Sequence, residues 1–173
     1  VYAQRIDALG NHVAPDGTAL PPAGIGEFQV NTTAVNSQFD AAVVGLPDGG
    51  FLISWTDNGS LDGSGNGVFA QRFDANGVMV DPDGVTASVA GSGEFQVNAL
   101  TSSNQDQSDV AALEGANAGR WVQVWHSETS AGAGDGSGSA VIGQVFDTDG
   151  SLIGPAEFVV NTTTISEQDA PTV

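Results

Sequence analysis

One seven-residue motif occurs three times, as Val1-Tyr2-Ala3-Gln4-Arg5-Ile6-Asp7, Val68-Phe69-Ala70-Gln71-Arg72-Phe73-Asp74 and Val141-Ile142-Gly143-Gln144-Val145-Phe146-Asp147. Each copy is followed by a Gly-containing turn and then by a second motif, at Glu27–Asn31, Glu94–Asn98 and Glu157–Asn161. Nothing else in the sequence restricts the fold as much. A unit repeated in tandem calls for an architecture that repeats, with each unit leaning on its neighbours for its core. The units fall at residues 1–67, 68–140 and 141–173, the last truncated.

The first motif alternates. Tyr2, Gln4 and Ile6 share one face, as do Phe69, Gln71 and Phe73, and Ile142, Gln144 and Phe146. Period two over seven residues predicts a strand. A glutamine recurs between two large apolar residues, so its buried amide must tie a neighbouring strand or loop. The next turns, Asn76-Gly77 and Asp149-Gly150 among them, carry hairpin chemistry. The first two units then carry insertions, around His12–Gly24 and Asp81–Gly93, that read as surface excursions.

After the second motif comes a polar bend, Asn31–Gln38 in the first unit and Asn161–Gln168 in the third. Aligned as Asn98–Gln107, the middle copy is two residues longer. Third strands are predicted at Ala41–Leu46, Val110–Leu113 and the truncated Pro171–Val173, and fourth strands at Phe51–Thr56 and Arg120–His126. The fourth strands are apolar on both faces, as expected of strands covered on two sides. No amphipathic helix is found. The fold expected is all-β, with tandem four-stranded antiparallel units as β-propeller-like blades; stacked β-sandwich modules are the alternative.

Composition narrows function. Three cations, Arg5, Arg72 and Arg120, face 21 carboxylates, for a formal charge of −18. Nucleic acid and anionic membranes are poor partners for such a surface, and no apolar run of about 18 residues or more offers a membrane span. With no cysteine there is neither disulfide nor thiolate chemistry. His12 and His126 are not equivalent in the repeat, and no HExxH or GxSxG motif occurs, so the expectation is a protein that is not an enzyme. The chain opens inside one motif and stops inside another, which reads as a segment of a longer protein.

The strand motif, the EFQVN element, Leu46-Pro47-Asp48-Gly49-Gly50-Phe51, the Trp strand and the Asp-Gly-Ser-Gly loops resemble repeats found in tandem in very large secreted bacterial proteins of the RTX-like, haemolysin-type calcium-binding or adhesin-like kind. The resemblance spans essentially the whole chain. It implies export, a cell-surface or extracellular location, and a structural or adhesive role. The partners expected are neighbouring repeats of the same chain or other copies, and surface glycans should the chain be lectin-like. The chain departs from the pattern at Val145, where the motif has Arg, and in showing the proline of the third element only as Pro171.

Two candidate sites follow from the residues. Calcium is bound by converging carboxylate and carbonyl oxygens on a tightly turning chain. The Gly-rich loops supply Asp57, Asn58 and Asp62 in the first unit, and Glu128 and Asp135 in the second. The second candidate is a glycan-stacking platform at Trp121 or Trp125, the feature a lectin-like propeller would use. Arg5 with Asp7, and Arg72 with Asp74, share a strand face; among 21 carboxylates each arginine is expected to enter a structural ion pair or cross-strand bridge, with anion or carboxylate recognition as the alternative.

Overall fold

The computed structural model describes residues 1–20, 26–85, 93–128 and 138–173. Over these the chain is all-β, in three antiparallel sheets, none closed into a barrel. The first sheet holds β1 (Tyr2–Ile6), β2 (His12–Val13) and β3 (Glu27–Gln29). The second holds β4 (Gln38–Gly45), β5 (Phe51–Asp57), β6 (Gly67–Phe73), β7 (Met79–Val80) and β8 (Phe95–Gln96). The third runs β9 (Gln105–Ala112), β10 (Trp121–Ser127), β11 (Ala140–Phe146) and β12 (Leu152–Val159). One 3-10 turn, Gly115–Asn117, joins β9 to β10, and no described helix is long and apolar enough to cross a membrane.

The sheets do not coincide with the sequence units. β4 and β5 come from the first unit, whereas β7 and β8 come from the second, and all meet on β6. β5 pairs with β6 along its whole length, and β7 and β8 share the opposite edge of β6. The start of the first insertion, His12–Val13, is thus a piece of sheet rather than a free excursion, and β7 stands just before the second. In the third unit, which lacks the insertion, the two short outer strands are replaced by the single continuous β12.

Alternation along β6 puts its two faces to different uses. Phe69 and Phe73 join Val30, Ile53 and Trp55 against the first sheet. Val68 and Ala70 join Trp121, Trp125, Ile142 and Phe146 against the third. β5 and β6 are covered on both sides, which is why they are almost wholly buried and why their sequences lack a polar face, whereas β4 keeps one face largely open.

The stack is closest along one edge. β9 packs against β4, β5 and β6, whereas the outer strands of adjacent sheets make no comparable contact. At this edge Asp40–Ala42, Gln107–Asp109 and residues 169–172 line one cleft of about 550 Å³. Asp40, Gln107 and Ala170 all have positive φ, so the chain turns there in the same way three times. Pro171–Val173, expected as a strand, does not pair as one. It lies along β9, with Ala170 N donating to Gln107 Oε1 (2.7 Å) and Val173 N to Asp109 Oδ2 (3.0 Å).

Candidate functional site

The polar residues that recur in the sequence gather where sheets and loops join, in three repeated devices. The first is a lock between the second motif and the next sheet. Asn98 and Asn161 each accept through Oδ1 from the backbone N–H that opens the first motif, at Val68 and Val141 (2.9 Å each), and Asn31 Oδ1 accepts from the α-ammonium of Val1 at the same place (2.5 Å). Their Nδ2 groups donate to the carbonyl two residues on and face the Oε1 of Gln38, Gln105 and Gln168. Each glutamine in turn donates to the carbonyl three residues before it. The middle bend therefore closes on Gln105 and has the same length as the other two. Alignment on Gln107 is corrected by the matching positive φ at Asn36, Ser103 and Ser166, five residues after each asparagine.

The second device is an arginine staple. Arg72 donates to Pro82 O (2.7 Å) in its own unit, to Thr148 O (2.9 Å) in the next, and to Asp48 Oδ2 (2.6 Å). Arg5 does the same to Pro15 O (2.9 Å) and Ala75 O (3.0 Å). Gly17 and Gly84 lie flat against the two guanidinium groups at positive φ, where a Cβ would approach within 3.3 and 3.0 Å. Arg72 thus forms the structural ion pair expected of it, with Asp48 of another hairpin, and Asp7 and Asp74 are engaged elsewhere. Both carboxylates cap their own turns, accepting from Leu9 and Asn11 and from Asn76 and Val78.

The third device was not visible in the sequence. Glu94 Oε2 reaches back to the preceding bend and accepts from Thr32 N (2.7 Å), Thr32 Oγ1 (2.9 Å) and Thr33 N (3.3 Å). Glu157 Oε1 does the same with Ala99 N (2.6 Å) and Leu100 N (3.2 Å). These glutamates recur at the head of each second motif, but nothing local says that their partners lie a unit away.

The recurrent glutamines behave as expected on one side only. Gln4 and Gln71 donate through Nε2 to Val13 O and Val80 O, holding β2 and β7, and Gln144 donates to Val145 O. Their Oε1 atoms are buried without a partner among the described residues.

The calcium candidates are not brought together. Asp57 accepts from Gln38 Nε2 (2.7 Å) and serves the first lock; Asp62 accepts from Asn98 Nδ2 (3.1 Å) and serves the second. Asn58 Oδ1 accepts from Ser37 N, and Glu128 from Asn104 Nδ2 (2.7 Å). Asp135 lies outside the described residues. No group of three or more His, Asp or Glu side chains suited to a metal occurs among the described residues. The tryptophans are also elsewhere than a sugar site requires. Trp121 and Trp125 are 0% and 1% exposed in the core between the second and third sheets, and Trp121 stacks on Phe146 at 5.3 Å. Neither ring offers a face to a glycan.

A polar cleft of about 340 Å³ opens beside the third sheet, lined by His126, Glu128, Ser139, Glu167 and Asp169. His126 Nδ1 lies 2.7 Å from Asp106 Oδ1, and Asp106 Oδ2 accepts from Asn66 Nδ2, which docks the Gly-rich loop onto the sheet. The Ser139 hydroxyl is taken up by the backbone of Gln168. Comparison of the chain with protein-family models and with curated proteins gives no match.

Proposed function

We propose that this chain is a non-enzymatic structural or adhesive segment of a large exported protein, built as propeller-like blades and placed at a cell surface or in the extracellular medium. The observation that carries the reading is the recurrence of the lock, the staple and the glutamate clamp. The polar residues common to the units are spent on holding sheet to sheet, which is the work of a scaffold. Close packing of inner strands with separated outer strands favours blades over parallel-stacked sandwiches. The charge of −18 suits a medium in which calcium and other cations screen self-repulsion.

The test of location is antibody labelling of intact cells of the source organism. The expected result is a surface or matrix label that brief external protease removes. A label confined to the lysed fraction refutes export. Hydrolysis or elimination of a glycan by the purified chain would refute the non-enzymatic part.

A further inference from the structure

We infer that the first sheet carries an acceptor slot for a β-hairpin, and that its occupant is an inner hairpin of this same repeat, of the Gln38–Asp57 type. The inference deepens the scaffold reading and rests on its stacking half, not on location.

The edge comes first. β1 takes β2 and β3 in the registers in which β6 takes β7 and β8: Arg5 faces Val13 as Arg72 faces Val80, and Ala3 faces Phe28 as Ala70 faces Phe95. The other edge of β6 is filled by β5, and the same edge of β11 by β10. The corresponding edge of β1 carries no strand among the described residues. Backbone groups alternate sides along a strand. Val1 O accepts from Val30 N, so Val1, Ala3 and Arg5 address β2 and β3, and the amides of Tyr2, Gln4 and Ile6 point to the bare edge. An unpaired edge is a template for strand addition.

The floor comes second. Beside this edge runs a groove of about 500 Å³ lined by Ala3, Arg5, Val43, Phe51 and Ile53. Val43 and Val110 occupy the same position, five residues after the lock glutamine. Val110 is 5% exposed because it sits against the preceding sheet, in one cluster with Leu46 and Leu52; Val43 is 66% exposed. The turn of the hairpin is the third feature. The Leu46–Gly50 turn brings Asp48 to Arg72, whereas Arg5 makes no direct ion pair with a carboxylate among the described residues and has only the nearby charge of Asp16. A hairpin of this repeat would supply the missing strand, the cover for Val43 and the carboxylate for Arg5. By the β5–β6 register it would set a Trp55-type residue opposite Tyr2, an Ile53-type opposite Gln4 and a Phe51-type opposite Ile6.

The experiment places a second copy of residues 38–67 directly before Val1, reproducing the natural Gly67–Val68 junction, and reads amide hydrogen exchange by NMR. The expected result is that Tyr2, Gln4 and Ile6 exchange at least about tenfold more slowly, while Ala3 and Arg5, already paired, change little. Val43→Asp in the extended chain should abolish that gain. Should the extended chain fail to fold, the peptide Gln38–Asp57 added to the unaltered chain must slow the same three amides saturably. Unchanged exchange at those amides in both formats overturns the inference. Val110→Asp in the unaltered chain separates the causes: if it is destabilising while the three amides stay unprotected, stacking stands and the slot fails. If it is neutral, the stacking reading fails too.

Discussion

Arg72→Ala is the sharpest probe of how the sheets are held. The side chain is 7% exposed and makes three hydrogen bonds, to a carboxylate and to the carbonyls of two turns. Its guanidinium carbon also sits 5.8 Å from the centre of the Trp121 ring. A hydrogen bond to a charged group contributes about 1.5–3 kcal/mol, and a cation–π contact about 0.5–2 kcal/mol. These do not add. Asp48 is half exposed, so its pair is partly screened, and Arg72 Nε is buried without a partner among the described residues, which offsets part of the gain. The net loss expected is about 3 kcal/mol, near the lower end for breaking a buried pair. Arg5→Ala removes two hydrogen bonds from a more exposed group with no direct carboxylate ion pair among the described residues, and should cost about 1 kcal/mol. At about 2–4 °C per kcal/mol for a chain of this size, the two variants should melt roughly 4–8 °C apart. Urea unfolding followed by tryptophan fluorescence is a suitable assay, because Trp55, Trp121 and Trp125 are all buried in the cores between sheets. Acid supplies a second arm. Burial alone would raise the pKa of Asp48, but the Gly50 N–H and Arg72 together outweigh it and hold the carboxyl below its usual value of 3.8. A depressed folded pKa gives stability that is present above the unfolded pKa and lost as pH falls through the folded one. The gap between wild type and Arg72→Ala should therefore narrow below about pH 4. Equal losses from the two arginines, or a loss below about 1 kcal/mol at Arg72, would refute the staple as a working contact.

Two more outcomes are expected. Asn98→Ala leaves Val68 N without its acceptor and Gln105 and Asp62 without their donor, all at a buried site, so it should cost about 2–4 kcal/mol; Asn161→Ala, whose lock is more exposed, should cost less by the same urea titration. With a formal charge of −18, added salt should raise Tm, and calcium should match magnesium at equal ionic strength where screening is the whole effect. A calcium-specific increment in a thermal melt would assign ligation to Asp57, Asp62, Glu128 or the loop bearing Asp135, and a salt-independent Tm would refute the role given to self-repulsion.

What could be read from the chain was what local rules govern. The alternation of Phe69, Gln71 and Phe73 gave a strand, and the two apolar faces of Phe51–Thr56 gave a strand covered on both sides. The failures are all about distance. Arg72 and Asp74 are neighbours on one strand, but Asp74 is consumed by its turn, and which carboxylate the arginine finds depends on another hairpin far along the chain. Gln107 was chosen over Gln105 because both stand near the end of a polar bend, and only the αL residue at Ser103 decides between them. Glu94 and Glu157 act on backbone N–H groups, which have no sequence signature at all. The candidate calcium ligands were grouped by loop, whereas Asp57 and Asp62 point to locks at different junctions.

Because every complete sheet joins the end of one unit to the start of the next, the covalent repeat and the hydrogen-bonded repeat run out of phase. A break in the Gly-rich loop between β5 and β6 would not release a module, since seven paired residues still clasp the two pieces.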